Sequence, residues 1–328
     1  MTTTMLDLLR RPIPPTFWVV DGLIPAGLFL LAADPKTGKS RFALDLSLSI
    51  AYGELFLDRF PTKKGDCLMV SNESGDISLA RRALEMLGLD PDNHDPEGIE
   101  EKTAPDSDNH PLDHIFAERR LTKLTQGLEQ ELLHWASTVE NPRLIVIDTL
   151  ASVMPQGRGL DRRQDDYNAL IGLADVALQL PHTAIIVIHH TNKRGADGGD
   201  PMMRISGSTG LTAATDGNAV MSKLPGDKIR FDFSPRDTKD ASFELASLDN
   251  QRFRWLRDLE VKENSEKTSR VTCRQQILSM VKDSTEPLSP AAISRATGIK
   301  AATVSKTLKR LTDEGLVRQV ERGHYATP

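Results

Sequence analysis

Apolar positions along this chain fall into two rhythms. Short, nearly unbroken apolar runs occupy 28–32, 66–71, 144–148 and 183–189, the mark of strands buried on both faces of a sheet. Between them, apolar residues recur at helical spacing over about 39–52, 76–88, 121–137 and 166–180. Strands alternating with helices predict an α/β fold, a mainly parallel sheet with helices on both faces. Short β-type segments separated by turns continue over about 216–256. Residues 90–113 are rich in Asp, Pro, Asn and Glu without apolar periodicity and read as an exposed insertion. A charged linker is expected over 257–270, separating a domain at 1–256 from a second at 271–328.

The tail has its own pattern. A helix is expected over 272–282, and Ser289 is placed to cap a second, with Pro290 at its first position. A third, over 301–314, sets Val304, Leu308 and Leu311 on one side and Thr303, Ser305, Lys306, Lys309 and Arg310 on the other. A strand from about 316, a tight turn at 321–324 containing Arg322, and a return strand from Tyr325 complete a winged helix. The polar face suits a recognition helix in a major groove, although such domains also serve as protein–protein modules.

The chemistry centres on the segment after the first run. Ala33-Asp34-Pro35-Lys36-Thr37-Gly38-Lys39-Ser40 follows the pattern of a phosphate-binding loop, with Ala33 in place of its first glycine, and Arg41 follows directly. Gly38 permits a tight turn, backbone N–H groups face phosphate oxygens, Lys39 reaches the terminal phosphates of ATP and the Ser40 hydroxyl ligates Mg²⁺. The helix that begins here adds the positive end of its dipole. Asp148, delivered by a buried strand, is the matching Mg²⁺ carboxylate. Glu73, after the second run, is either a base that activates water or a surface residue of a turn. His189 and His190 end the fourth run; adjacent strand residues point to opposite faces, so one of the two can face the nucleotide. Lys193, Arg194 and Arg204 lie in or beside a Gly/Asp-rich loop, and any of them could reach a neighbouring subunit's phosphate.

Charge is unevenly spread. The whole chain carries a net −5, yet residues 267–328 hold 11 Lys+Arg against 5 Asp+Glu. A basic tail on an acidic body points to nucleic acid as a partner of the tail. Two cysteines far apart suit a reducing cytoplasm, no apolar run reaches membrane-spanning length, and the N-terminus lacks a signal-peptide pattern.

Taken in order, Gly-Leu-Ile-Pro-Ala-Gly (22–27), the 33–40 loop, Ser-Asn-Glu (71–73), Asp148-Thr149, His189-His190-Thr191-Asn192-Lys193, and Gly207-Ser208-Thr209 with Arg204 before it resemble the RecA/DnaB-like ATPases. The resemblance is closest to the RepA-type hexameric helicase branch, the AAA_25 domain group, over about 15–255. It implies a RecA-like core in a homo-oligomeric, hexameric ring with ATP between subunits. Lys39 and Ser40 then serve phosphate and Mg²⁺, Asp148 serves Mg²⁺, and Glu73 is the catalytic base. His190 or His189 becomes the γ-phosphate sensor, and Arg204 the arginine finger assisted by Lys193. It also implies action on DNA in plasmid, phage or mobile-element replication, with loops at 155–166 and 194–203 on single-stranded DNA and the winged helix on duplex. An ATP-switched winged-helix regulator and a non-motor recombination or loading ATPase are the alternatives.

Overall fold

The four apolar runs become the middle of a nine-stranded sheet. In the computed structural model of the chain, the described residues are 3–10, 12, 15–71, 75–103, 109–119, 122–154, 162–191, 201–205, 211–212, 214–236, 239–260, 273–284, 286–321 and 323–327. They divide into two units, Met1–Val261 and Lys262–Pro328.

In the first unit, helix α1 (Met5–Leu9) and the antiparallel pair β1 (Trp18–Val20) and β2 (Ile24–Pro25) precede β3 (Gly27–Ala33) and α2 (Lys39–Tyr52). Then come β4 (Asp66–Ser71), α3 (Asp76–Met86), α4 (Ile99–Thr103), β5 (Ile115–Glu118), α5 (Leu128–Thr138), β6 (Pro142–Asp148), α6 (Leu150–Val153), α7 (Arg162–Gln179) and β7 (Ala184–His190). Four strands finish the sheet: β8 (Gly217–Leu224), β9 (Lys228–Pro235), β10 (Ala241–Ser247) and β11 (Phe253–Asp258). Their order is β11-β10-β9-β8-β3-β7-β6-β4-β5; the six strands from β8 to β5 are parallel, and β8 through β11 form an antiparallel meander.

Side-chain alternation sorts the parallel strands onto two cores. Phe29, Leu31 and Ala33 of β3, Leu144 and Val146 of β6, and Ile186 and Ile188 of β7 pack with Phe42, Leu46 and Ile50 of α2. Leu28, Leu30, Ala32, Ile145, Ile147, Ile185 and Val187 face the other way, against Leu128 and Leu132 of α5 and Leu170, Leu173 and Val176 of α7. Both faces are covered, which is why these strands read as continuous apolar runs. The meander adds aromatic mass: the Phe231 and Phe243 rings stack at 5.8 Å, and Phe42 stacks on Phe231 at 5.0 Å. No helix among the described residues is long and apolar enough to cross a membrane.

Three local expectations change. The edge strand β5 does not stand out in sequence, because three of its four residues are exposed and carry no buried pattern. Helix α5 starts at Leu128, not near 121. A turn with Thr125 and Gly127 at positive φ precedes it, and the carboxylates of Glu129 and Glu131 accept the N–H groups of Thr125 and Thr122 at 2.9 and 3.0 Å. The end of the acidic 90–113 segment is docked rather than exposed. Pro111 is buried and Leu112 packs against the cluster of Leu44, Leu48, Met69 and Met86, with His114 Nδ1 just beyond, 2.6 Å from the buried Asp66 carboxylate.

In the second unit, α8 (Cys273–Asp283), α9 (Pro290–Thr297) and α10 (Ala301–Asp313) precede the antiparallel pair β12 (Arg318–Glu321) and β13 (His324–Ala326). Ser289 Oγ accepts the Ala292 N–H at 3.2 Å, capping α9. Ile277, Val281, Ile293, Val304, Leu308, Leu311 and Val317 form a core of their own. Thr303, Ser305, Lys306, Lys309 and Arg310 stand exposed on α10, while Arg322 lies outside the described residues.

Candidate active site at the strand ends

The loop after β3 turns sharply into α2. Gly38 caps the helix in the left-handed region, with φ +102°, and a Cβ there would lie 3.0 Å from Phe253 Cζ, so both conformation and space call for glycine. Lys36 also has positive φ, and Pro35 and Lys36 are exposed at the crest. Lys39 is buried, its Nζ donating to the Ala33 and Asp34 carbonyls at 2.9 and 3.1 Å. Thr37 is only 4% exposed, and its Oγ1 has no hydrogen-bond partner. A buried orphan hydroxyl costs free energy unless something accepts from it or donates to it. Together with the Lys39 ammonium, the Ser40 hydroxyl and the α2 N-terminus, it makes a donor set that fits phosphate oxygens.

Strand register brings the other candidates to this edge. Ala33 pairs with His190 and Ala32 with His189 across β3 and β7; Ser71 pairs with Asp148 across β4 and β6. Parity then puts Ser71, Asp148 and His190 on the α2 face and His189 on the opposite face. The strand between the loop strand and the Asp148 strand thus ends in His190. At about 4.8 Å per strand, the ends of β3 and β6 are about 9.6 Å apart. Asp148 and Thr149 are buried, and the peptide bond between them is cis. His190 Nδ1 has no hydrogen-bond partner.

Several expected site residues have other engagements. The Arg41 guanidinium turns toward the β10–β11 connection, donating to the Gln251 carbonyl at 3.1 Å and to Ser247 Oγ at 2.6 Å, 4.8 Å from the Phe253 ring centroid. Burial pulls its pKa below the usual guanidinium value, against the opposing effect of Asp45. Arg204 lies on its own chain's loop: Nη2 donates to Asp34 Oδ2 at 2.7 Å, and Nη1 donates to Ser222 Oγ. Thr191 Oγ1 donates to the other Asp34 oxygen. Glu73, Lys193, Arg194, 155–161 and 207–209 lie outside the described residues.

Sequence reasoning gave Thr191 no role beyond its place in the 189–193 motif, and it missed Ser222, Phe253 and the pair Asp45–Arg252. Asp45 is 1% exposed; its carboxylate accepts from Arg252 Nε at 2.7 Å and from the Phe253 N–H at 2.8 Å. The available signal was an acid set inside an otherwise apolar stretch of helix, which demands a partner. The others carry no local signal.

A family model described as AAA domain, AAA_25, matches residues 1–196, and one described as MarR family matches 276–324. No curated protein matches the sequence. Among solved structures, one described as an ATPase domain superposes with a TM-score of 0.55 at 14% identity, covering 71% of this chain and 85% of that one. A DnaB-like replicative helicase, described with its interactions with primase, gives the same TM-score and identity over 71% of this chain. The match spans 58% of that helicase chain, and at such identity these likenesses establish the fold.

Proposed function

The chain belongs to the AAA_25 family, and from that premise we propose that it hydrolyses ATP to handle DNA. More finely, it is a RepA-like replicative helicase of a plasmid, phage or other mobile element, working in the cytoplasm as a hexameric ring. The observation that carries this reading is the row of four neighbouring strand ends on the α2 face: the 33–40 loop, His190, Asp148 and Ser71. The six-strand parallel layer and the family match support it.

The backbone from Ala33 to Ser40 wraps the phosphates, with the Lys39 ammonium and the orphan Thr37 hydroxyl donating to them. Arg41 steadies the loop from behind through Gln251. Ser40 and Asp148 would hold Mg²⁺, and the ion would supply positive charge against the charge that develops on the transferring phosphoryl group. Glu73 accepts the proton of the attacking water. His190, on the same face, hydrogen-bonds the terminal phosphate, whereas His189 faces the opposite core. Lys193 supplies a cation toward the adjoining subunit. Single-stranded DNA follows the segments 155–166, whose last five residues open α7, and 194–203, and the exposed face of α10 contacts duplex.

Lys39→Ala tests the site. We expect binding of a fluorescent ATP analogue to weaken by about 100-fold or more and hydrolysis to vanish. Undiminished turnover in that variant would remove the loop from the mechanism. Strand displacement dependent on ATP separates the helicase from an ATP-switched regulator, which would bind a defined duplex without unwinding it.

A further inference from the structure

Asp34 is an unwelcome residue for a phosphate cradle. It occupies the loop's second position, its side chain is 49% exposed, and a free carboxylate there repels an incoming triphosphate. The structure neutralises it from one direction. Arg204, only 17% exposed, takes Asp34 Oδ2 with one nitrogen and Ser222 Oγ with another, and Thr191 takes Asp34 Oδ1. Ser222 follows the parity of Val220, on the face away from α2. The carboxylate is therefore drawn toward the side of the sheet opposite Lys39 and Ser40. A backbone scaffold holds this arrangement: the Thr191 N–H donates to the Ala33 carbonyl at 3.3 Å, and Thr191 bridges to Ile205, the residue after Arg204.

We propose that Arg204 is a positioning residue acting within its own chain, holding the Asp34 carboxylate out of the anion path and so setting ATP affinity. It does not supply charge to a neighbour's site. This rests on the ATP-binding reading of the loop. An Arg204 bound to two partners in its own subunit has already committed the planar fork that a bidentate contact across an interface requires.

The test measures binding of a fluorescent ATP analogue and steady-state hydrolysis by the full chain. Arg204→Ala should raise Kd and KM for ATP by about 10- to 100-fold, the scale of one unscreened charge about 5 Å from phosphate, with kcat within about threefold. Asp34→Asn added to Arg204→Ala should return Kd to within about threefold of wild type, because the repelling charge is gone. Ser222→Ala, which breaks only the structural arm, should leave Kd within about threefold. Should Arg204→Ala fail to fold, Asp34→Asn alone still decides: it should bind ATP at least as tightly as wild type. Loss of kcat with unchanged Kd, no rescue by Asp34→Asn, or weaker binding by Asp34→Asn alone each overturns the proposal while leaving the ATPase reading intact. Wild-type protein that binds no ATP overturns both.

Discussion

Arg252→Met should be among the most damaging single changes outside the loop. Arg252 donates to Asp45 at 2.7 Å, to Ser49 Oγ at 3.0 Å and to Glu54 at 3.2 Å, fastening the β10–β11 connection to α2. Burial already lifts the Asp45 carboxyl above its ordinary range, with Arg252 opposing that shift. Methionine keeps the bulk but leaves the Phe253 N–H as the remaining donor to a carboxylate that is 1% exposed. Breaking one side of a buried pair costs about 3–5 kcal/mol. In a unit of this size that lowers Tm by roughly 6–20 °C. All three tryptophans, Trp18, Trp135 and Trp255, lie in the first unit, so tryptophan fluorescence during urea unfolding follows that unit alone. Asp45→Asn in the Arg252→Met background should recover most of the loss. The pH dependence has a definite sign. A carboxyl raised in the folded state favours folding below its unfolded pKa and loses that contribution as pH rises through the folded one. The Arg252→Met defect should thus shrink toward acid and be largest at neutral pH. A loss under about 1 kcal/mol, or no recovery with Asp45→Asn, would show that the buried pair is not what holds α2 to the meander.

Two further outcomes follow from the geometry. Gly38→Ala meets both a left-handed backbone and Phe253 Cζ at 3.0 Å, so it should cost about 2–4 kcal/mol in urea unfolding. Adding Phe253→Leu should recover only the steric part, and a neutral Gly38→Ala would contradict the loop geometry. In the second unit, Lys306→Ala with Arg310→Ala should lower the salt slope of duplex DNA binding, read by anisotropy, by about 1.8. An unchanged slope would move DNA off the α10 face and favour a protein-docking role.

Legibility in the sequence followed burial. The β3–loop–α2 unit could be read because β3 and α2 are enclosed on nearly every side, leaving an apolar run, a glycine turn and an apolar helix in immediate succession. The winged helix could be read because Val304, Leu308 and Leu311 keep helical spacing over a small core. Strand β5 could not, since its backbone pairing with β4 leaves no apolar alternation on an exposed edge. Contacts closed by tertiary structure were invisible for a different reason. Asp34 and Arg204 are 170 residues apart, and no local rule connects a carboxylate in a loop to a guanidinium in a short 3₁₀ turn. The choice between the two histidines needed only strand parity and a register, and the register came from the folded sheet.

The position of β3 in the sheet bears on how the protein is made. Gly27 pairs with Ala184 on one side and Phe29 with Gly217 on the other, so neither neighbour of the loop strand exists until much of the chain has been synthesised. At ordinary translation speeds the apolar run of β3 waits roughly 10–40 s for β8 to emerge from the ribosome. During that interval its hydrogen-bonding edges are open to chaperones or to other nascent chains. A truncated product ending before β7 would carry the complete phosphate-loop motif in its sequence yet lack both strands that hold the loop in place.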